Sequence, residues 1–180
     1  ADPVHNFVPS SDIWTIPLNV LTIAEYTKAA YGERVDVRVF KFPDLLLEAI
    51  EDNPPDILGV SNYIWNYELS RYILKRAKKR NIGTITVMGG PNVFENEEWM
   101  TSFFEENKCD YYVPQAGEDP FKSLVGAALD WGDAGKPLLH EDNNVHGVWF
   151  CEEKTSKASF KPIKHIIKNL DEIPSPFKSG

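Results

Sequence analysis

Short apolar runs alternate with longer amphipathic stretches over the first 131 residues of the chain. The runs are rich in branched residues, are too short for a helix and end at proline, glycine or polar residues, as buried strands do. They predict five strands, at residues 4–8, 35–40, 57–61, 84–88 and 111–113. The stretches between and after them predict helices, at residues 17–31, 43–51, 67–80, 97–106 and 120–129.

This alternation is typical of an α/β protein in which helices connect parallel strands. We therefore predict an open, doubly wound sheet of five parallel strands, Rossmann-like or flavodoxin-like. Right-handed crossovers place the carboxyl ends of all the strands at one edge. Ligands of such sheets bind in the crevice at that edge where the strand order reverses, so the residues after each strand are the candidates for binding.

The pattern changes after residue 131. The segment "GDAGKP" predicts a turn-rich break, and the alternation in "NNVHGVWFCEE" followed by "KTSKASFKP" predicts a β-hairpin. The last residues show no periodicity, and Pro174 and Pro176 favour extended backbone. We predict a Rossmann-like domain over residues 1–131, a small β-hairpin appendage over 132–162 and a linker over 163–180.

Charge and cysteine content narrow the function. The 19 basic and 27 acidic residues give a net charge of −8, which disfavours nucleic acid as a partner. Cys109 and Cys151 are far apart and no CxxC spacing occurs, which excludes a disulfide scaffold and a metal or iron–sulfur site built from this chain's thiols alone. The four histidines are scattered, so no metal site is predicted. Without a membrane span or a signal peptide, a cytoplasmic protein is expected.

Two glycines follow the fourth predicted strand, at the edge where a ligand is expected to bind. The phosphate-binding patterns GxGxxG and GxxxxGK[ST] are absent, which disfavours nicotinamide dinucleotides and ATP. Gly89 and Gly90 permit either a tight turn or a close ligand, and both interpretations remain open at this point. Beside them, Ser61 ends the preceding strand and the rings of Tyr63 and Trp65 follow. The combination predicts a slot beneath a broad apolar surface, suited to a large flat ligand with a long tail.

The segment "DILGVSNYIWNYELSRYILKRAKKRNIGTITVMGGPNVF", followed by "CDYYVPQAGEDPF", resembles the N-terminal cobalamin-binding domain of B12-dependent radical SAM enzymes. Such domains carry a serine after one strand and a GGP turn after the next, matched here by Ser61 and by Gly89, Gly90 and Pro91. The histidine that usually follows this turn is Asn92 here. A later Gly-Glu-Gly-Glu loop of the family is kept only in its second half, as Gln115, Ala116, Gly117 and Glu118.

The resemblance implies a role for each of these positions. The benzimidazole tail of cobalamin would lie in the slot, with Ser61 bonded to the base and the two glycines letting the tail pass. Backbone amides after Pro91 and around Gly117 would hold the phosphate and ribose. The predicted cofactor-binding residues are Trp14, Thr15, Ile16, Ser61, Tyr63, Trp65, Asn66, Gly89, Gly90, Pro91, Asn92, Gln115, Ala116, Gly117 and Glu118. Glu118 and Asp119 are interpreted as capping a helix rather than as an acid–base pair.

The state of the cobalt also follows from the resemblance. Cobalamin domains of the methionine synthase and mutase type carry Asp-x-His-x-x-Gly after the first strand, where this chain reads "WTIPLN" with Ile16 at the place of the histidine. The resemblance therefore implies base-off cobalamin without a histidine ligand, which suits methyl transfer to a substrate radical.

These features favour the cobalamin-binding domain of a radical SAM methyltransferase, with no catalytic residue of its own. S-adenosylmethionine and a [4Fe-4S] cluster are expected only in a C-terminal radical SAM barrel, on the same parent chain or on a partner. One alternative is a flavodoxin-like or receiver-like interaction domain that binds no corrinoid, although Asp12 alone represents a receiver's acidic cluster. Another is a family member that has lost cobalamin, which the departures at Asn92, Gln115 and Ala116 allow.

Overall fold

One mixed β-sheet forms the centre of the protein. The structure is a computed structural model that describes residues 16–178, with the backbone alone described at residues 131–138. The described strands are β1 (Ile57–Ser61), β2 (Ile85–Gly89), β3 (Tyr111–Val113), β4 (Val148–Cys151) and β5 (Ala158–Lys161). The described α-helices are α1 (Leu18–Tyr31), α2 (Pro43–Asp52), α3 (Tyr67–Arg80), α4 (Glu97–Glu106) and α5 (Glu118–Gly135). Single 3-10 helices span Gly32–Arg34, Lys136–Glu141 and Leu170–Glu172.

The strands lie in the order β1-β2-β3-β4-β5. The first three are parallel, whereas β4 pairs antiparallel with β3 and β5 antiparallel with β4. The prediction of five parallel strands is therefore wrong. The hairpin extends the main sheet because a short turn can join antiparallel strands directly, whereas a parallel pair needs a crossover. Within the described residues the strand order does not reverse.

Helices cover both faces of the sheet, as a doubly wound fold requires. On one face α2, α3 and α4 pack against alternate strand residues, among them Val60, Met88 and Tyr112. On the other face α5 packs against the intervening residues, among them Val87 and Val113. Every second strand residue therefore enters a different half of the core, which is the alternation that a pleated strand imposes.

Local signals account for the helix starts. Proline occupies the first position of α2, where its fixed φ suits a helix. A backbone N–H at this position would have no acceptor within the helix, so its absence in proline has no cost. The side chain of Asn96 accepts a hydrogen bond of 2.9 Å from the backbone N–H of Trp99 and so caps α4, whose first turn carries Glu97 and Glu98. These two signals define where α2 and α4 begin.

Two predicted features differ in the structure, and one lies outside it. Residues 35–40 form no strand, although Val35 has extended dihedrals, because alternation predicts backbone shape and not a pairing partner. The "GDAGKP" segment is helical, since α5 continues to Gly135 and a 3-10 helix follows. Glycine weakens a helix without ending it, whereas Pro137 disfavours α-helical backbone just before itself. The strand predicted at residues 4–8 lies outside the described residues, and the domain boundaries stay a prediction.

In the part of the chain that the structure describes, no helix combines the length and apolar character needed to cross a membrane.

Candidate functional site

The carboxyl ends of the three parallel strands meet at one level. Ser61 is the register partner of Gly89, and Gly89 is the register partner of Val113. The ladder continues one residue further, since the N–H of Asn62 donates to the Gly89 carbonyl over 2.6 Å and that of Gly90 donates to the Val113 carbonyl over 3.0 Å. The structure therefore brings Ser61 and the two glycines side by side, at the edge where the sequence places the binding residues.

Gly89 leaves a gap in this row. Strand alternation directs the side chains of Ser61 and Val113 to the sheet face that α5 covers, and Gly89 stands between them without a side chain. A Cβ atom at Gly89 would lie 3.2 Å from the carbonyl oxygen of Val113. A side chain at position 89 would therefore crowd the Val113 carbonyl, and the position beside half-buried Ser61 that Gly89 leaves without a side chain is called the notch.

The backbone geometry at position 90 requires glycine whether or not a ligand binds there. Its φ is 136°, and a Cβ atom there would lie 2.5 Å from the backbone carbonyl oxygen of Asn62. Side chains rarely adopt such a backbone conformation, and this one has no room. Gly90 therefore forms a tight turn and also permits a close approach, but the group that approaches it is the main chain of Asn62 and not a ligand.

A buried hydrogen-bond network lies directly beneath these turns. Asn62 and Tyr112 are fully buried. The Asn62 amide donates to the Tyr112 hydroxyl over 2.9 Å, and that hydroxyl donates to the Gly90 carbonyl over 2.7 Å. Asn62 Nδ2 also donates to the main-chain carbonyl of Asn92, and Asn92 Nδ2 donates to Asn62 Oδ1, both over 3.2 Å. Asn92, where the resembling family usually has histidine, is thereby tied to the loop after β1.

The loop after β1 is held from within. The buried amide of Asn66 donates to Ser61 Oγ over 2.9 Å and accepts from the backbone N–H of Tyr63 over 2.8 Å. Ser70 Oγ donates to the Ser61 carbonyl over 2.8 Å. These bonds orient the Ser61 hydroxyl and fix the loop that presents the aromatic rings.

Tyr63 and Trp65 form a parallel stack at the top of the edge. Their ring centroids are 4.7 Å apart and their planes differ by 3°. The Tyr63 hydroxyl accepts a hydrogen bond of 2.9 Å from Asn19, which ties the stack to α1. Trp65 is 63% exposed, whereas Tyr67 points away and packs against the core.

Six of the twelve large apolar side chains that are exposed in the described residues belong to segments at this edge of the sheet. They stand in the segments that follow the strands or open the helices at this edge: Ile16, Leu18, Phe42, Ile64, Trp65 and Phe94. Large exposed apolar groups gathered at one place usually mark a surface that binds something.

The start of α5 also lies at this edge of the sheet. Gln115 and Ala116 are exposed, and Thr22 of α1 donates to a carboxylate oxygen of Glu118 over 3.2 Å. A Cβ atom on Gly117 would lie 2.7 Å from Ile23 Cδ1, so this glycine lets α1 approach the start of α5. A helix start carries partial positive charge, which suits an anion such as a phosphate, but the first turn of α5 already carries the carboxylates of Glu118 and Asp119. Of the other predicted positions, Ile16 is exposed, and Trp14 and Thr15 lie outside the described residues.

A charged cluster around Asp119 lies at this edge and was not predicted from the sequence. The buried carboxylate of Asp119 lies 2.9 Å from His146 Nε2, 3.5 Å from His165 Nδ1 and against the ammonium of Lys122. Burial lowers the pKa of His146, an effect that Asp119 partly offsets. Asp119 and His146 are separated by 27 residues, and His146 and His165 by 19, so no sequence motif indicates this cluster. The antiparallel hairpin brings the two histidines to Asp119. Nowhere in residues 16–178, so far as side chains are described, do three His, Cys, Asp or Glu side chains form a group suited to a metal ion.

Comparison with known proteins identifies the family. A profile of the B12 binding domain matches residues 11–125. The chain belongs to the B12-binding domain family. The match includes Ser61, the GGP turn and the start of α5, so the family resemblance predicted from those motifs is confirmed.

Relatives of this B12-binding domain are methyltransferases. The chain is 28% identical over 78% of its length to 2-(S-pantetheinyl)-carbapenam-3-carboxylate methyltransferase of Streptantibioticus cattleyicolor. It is 26% identical over 86% of its length to the cobalamin-dependent radical SAM methyltransferase TokK of Streptomyces tokunonensis. It is 30% identical over 84% of its length to an uncharacterized methyltransferase of Pyrococcus horikoshii. The chain spans 20%, 22% and 32% of the lengths of these three relatives.

The described residues fit a corrinoid with a nucleotide tail. Trp65 and Ile64, 63% and 83% exposed, offer apolar surface to a flat ring system. The notch at Gly89 adjoins Ser61 at the carboxyl edge of the strands, and α5 begins shortly after β3 at the same edge. Apolar surface, a hydrogen-bonding side chain and a helix start therefore occur together at this edge, and these are the kinds of group that a ring, a base and a phosphate would contact.

Proposed function

We propose that this chain is the cobalamin-binding domain of a B12-dependent radical SAM methyltransferase. The observation that carries the proposal is the row of Ser61 beside Gly89 at the carboxyl edge, in a chain that belongs to the B12-binding domain family. Ser61 would donate to the base of the nucleotide tail, and the notch at Gly89 would receive that tail. Tyr63, Ile64 and Trp65 would cover the corrin ring and keep water from it.

We further propose that cobalamin is held base-off and without a histidine ligand. Tail binding in the notch removes the base from cobalt. Ile16 stands where related domains of another type supply histidine. His146 and His165 are both engaged with Asp119, and His140 stacks on Phe150 with centroids 4.1 Å apart. When bound, cobalamin would supply the methyl group for transfer, and this chain's residues would orient it.

The radical SAM assignment rests on one relative and on the share of that relative's length that the chain matches. TokK is described as a cobalamin-dependent radical SAM methyltransferase, and the chain aligns with 22% of its length. A radical SAM barrel that binds S-adenosylmethionine and a [4Fe-4S] cluster would accordingly complete the enzyme, on the parent polypeptide or on a partner. The parent polypeptide should form 5′-deoxyadenosine from S-adenosylmethionine under reduction, and this chain alone should not.

Paramagnetic resonance tests the state of the cobalt. The chain is loaded with hydroxocobalamin, reduced to the Co(II) form and examined for splitting by nitrogen. We expect a base-off spectrum without nitrogen splitting, unchanged in His146→Ala and His165→Ala. Splitting that disappears in either variant would identify a histidine ligand and contradict the proposal. If the chain binds no corrinoid, a domain that has lost cobalamin or an interaction domain explains it better.

A further inference from the structure

A single buried hydroxyl joins the two loops that border the notch. Tyr112 lies on β3, beside Met88 of β2, and its ring passes below the turn after β2. Its hydroxyl accepts from Asn62, which directly follows Ser61, and donates to the carbonyl of Gly90, which directly follows Gly89. The two residues that define the notch are therefore each one residue from an attachment point of Tyr112.

Asn92 adds a second connection between the same loops. Its side-chain amide donates to Asn62 Oδ1 over 3.2 Å, and its main-chain carbonyl accepts from Asn62 Nδ2 over 3.2 Å. Asn62 thus serves both Tyr112 and Asn92 from a position with no solvent exposure. Buried networks of this kind are rigid when every member is paired and costly when one partner is removed.

We propose that Tyr112, Asn62 and Asn92 form a clamp that sets the width of the notch and so positions the nucleotide tail of cobalamin. This inference rests on the proposed function. Asn62 and Tyr112 are buried beneath the edge, and Asn92 is a partly exposed residue of the loop after β2. All three are positioning residues, which act through Ser61 and the GGP turn. Burial raises the pKa of Tyr112, so its hydroxyl keeps the proton that it donates to Gly90.

The clamp predicts a selective effect on corrinoids. Cobinamide has the corrin ring of cobalamin and no nucleotide tail, so it uses the apolar surface and not the notch. A wider or mobile notch should weaken the binding of cobalamin and leave cobinamide unaffected. Purely structural damage would instead weaken both, because the ring and the tail bind to the same folded edge.

The experiment measures the dissociation constants of hydroxocobalamin and diaquocobinamide for the 180-residue chain and for Tyr112→Phe. Removal of one hydroxyl that bonds two partners should weaken hydroxocobalamin about tenfold, equivalent to about 1.4 kcal/mol, and change cobinamide by less than about twofold. Asn92→Ala removes the side-chain bond to Asn62 Oδ1 and keeps the bond to the main-chain carbonyl, so it should give a smaller loss that is again selective for hydroxocobalamin, and it replaces Tyr112→Phe if that variant does not fold.

Tyr111→Phe is the matched control. Tyr111 is the preceding residue of the same strand, is equally buried and faces the other half of the core. Its hydroxyl also has two bonds, accepting from the His140 N–H over 3.2 Å and pairing with His140 Nδ1 over 3.3 Å. Its loss should lower stability and leave the ratio of the two dissociation constants unchanged.

Each other outcome overturns the clamp. Equal weakening of both corrinoids, no weakening in Tyr112→Phe or Asn92→Ala, or a changed ratio in Tyr111→Phe would contradict it while the proposed function stands. A wild-type chain that binds both corrinoids equally would contradict tail binding in the notch, and one that binds neither would contradict the proposed function itself.

Discussion

The carbonyl oxygen of Asn62 lies 2.5 Å from the point that a Cβ atom on Gly90 would occupy. Because φ at Gly90 is also 136°, Gly90→Ala combines backbone strain with overlap against a neighbouring main chain. We expect it to lower the free energy of unfolding by about 3 kcal/mol or more, measured by urea denaturation.

Gly32→Ala is the control for backbone strain alone. Gly32 has a φ of 54°, and beyond its chain neighbours no atom lies within 4 Å of the point that a Cβ would occupy, so about 1 kcal/mol should be lost. Equal losses in the two variants would show that the Asn62 contact is unimportant. For the same reason, a large residue at position 90 disturbs the fold and is a poor probe of ligand binding.

Ser61→Leu probes the notch more cleanly. Leucine at this position fills the space beside Gly89 and removes the hydroxyl. The dissociation constant of hydroxocobalamin should therefore rise at least about a hundredfold, so that the variant loses the corrinoid during gel filtration. Ser102→Leu makes the same change on the exposed surface of α4 and should retain the corrinoid as the wild type does. Retention by both variants would show that the tail does not lie beside Ser61.

The exposed ring of Trp65 should matter for binding and not for stability. Trp65→Ala is expected to change the free energy of unfolding by less than about 0.5 kcal/mol, since the side chain is 63% exposed. It should lower corrinoid affinity by about tenfold through lost apolar contact. Ile82→Ala, at a 79% exposed residue before β2 and hence at the opposite edge, is the control. If both variants bind corrinoid equally well, the stack does not cover the ring.

Two histidines predict how stability depends on pH. Burial lowers the pKa of His146 and of His140 in the folded protein. In the unfolded chain the pKa of these histidines is about 6.5, so the unfolded chain binds protons more readily than the folded protein. The full stability is therefore present above that pH and is lost as the pH falls through the pKa values of the folded protein.

His146→Gln keeps an N–H donor toward Asp119 and removes the titration. Urea unfolding at pH of about 7.5 and about 5.5 should show a smaller loss of stability in this variant than in the wild type. An unchanged or larger loss in the variant would mean that His146 does not contribute.

Local pattern predicted most of the parallel half of the fold. Helices α3 and α4 begin and end at the predicted residues, and β1 and β3 do so as well, because apolar periodicity and turn residues specify these elements locally. The edge that joins Ser61 to Gly89 followed from the common direction of parallel strands. The family could be recognised for the same reason, since its motifs occupy that edge.

What escaped prediction depends on contacts between distant segments. The antiparallel addition of β4 to β3 is decided by which sheet edge is open, and the alternation at residues 145–151 carries no information about that. The meeting of Asp119 with His146 and His165 follows from that same pairing. The Asn62–Tyr112–Gly90 network was equally hidden, because a tyrosine in an apolar strand predicts burial and not its hydroxyl partners.

Retention of cobalamin tests the central claim most directly. The purified chain is mixed with hydroxocobalamin and desalted, and its visible spectrum is recorded. We predict a stoichiometric bound corrinoid with a base-off spectrum after reduction. A colourless protein would contradict the assignment of this edge as a cobalamin site.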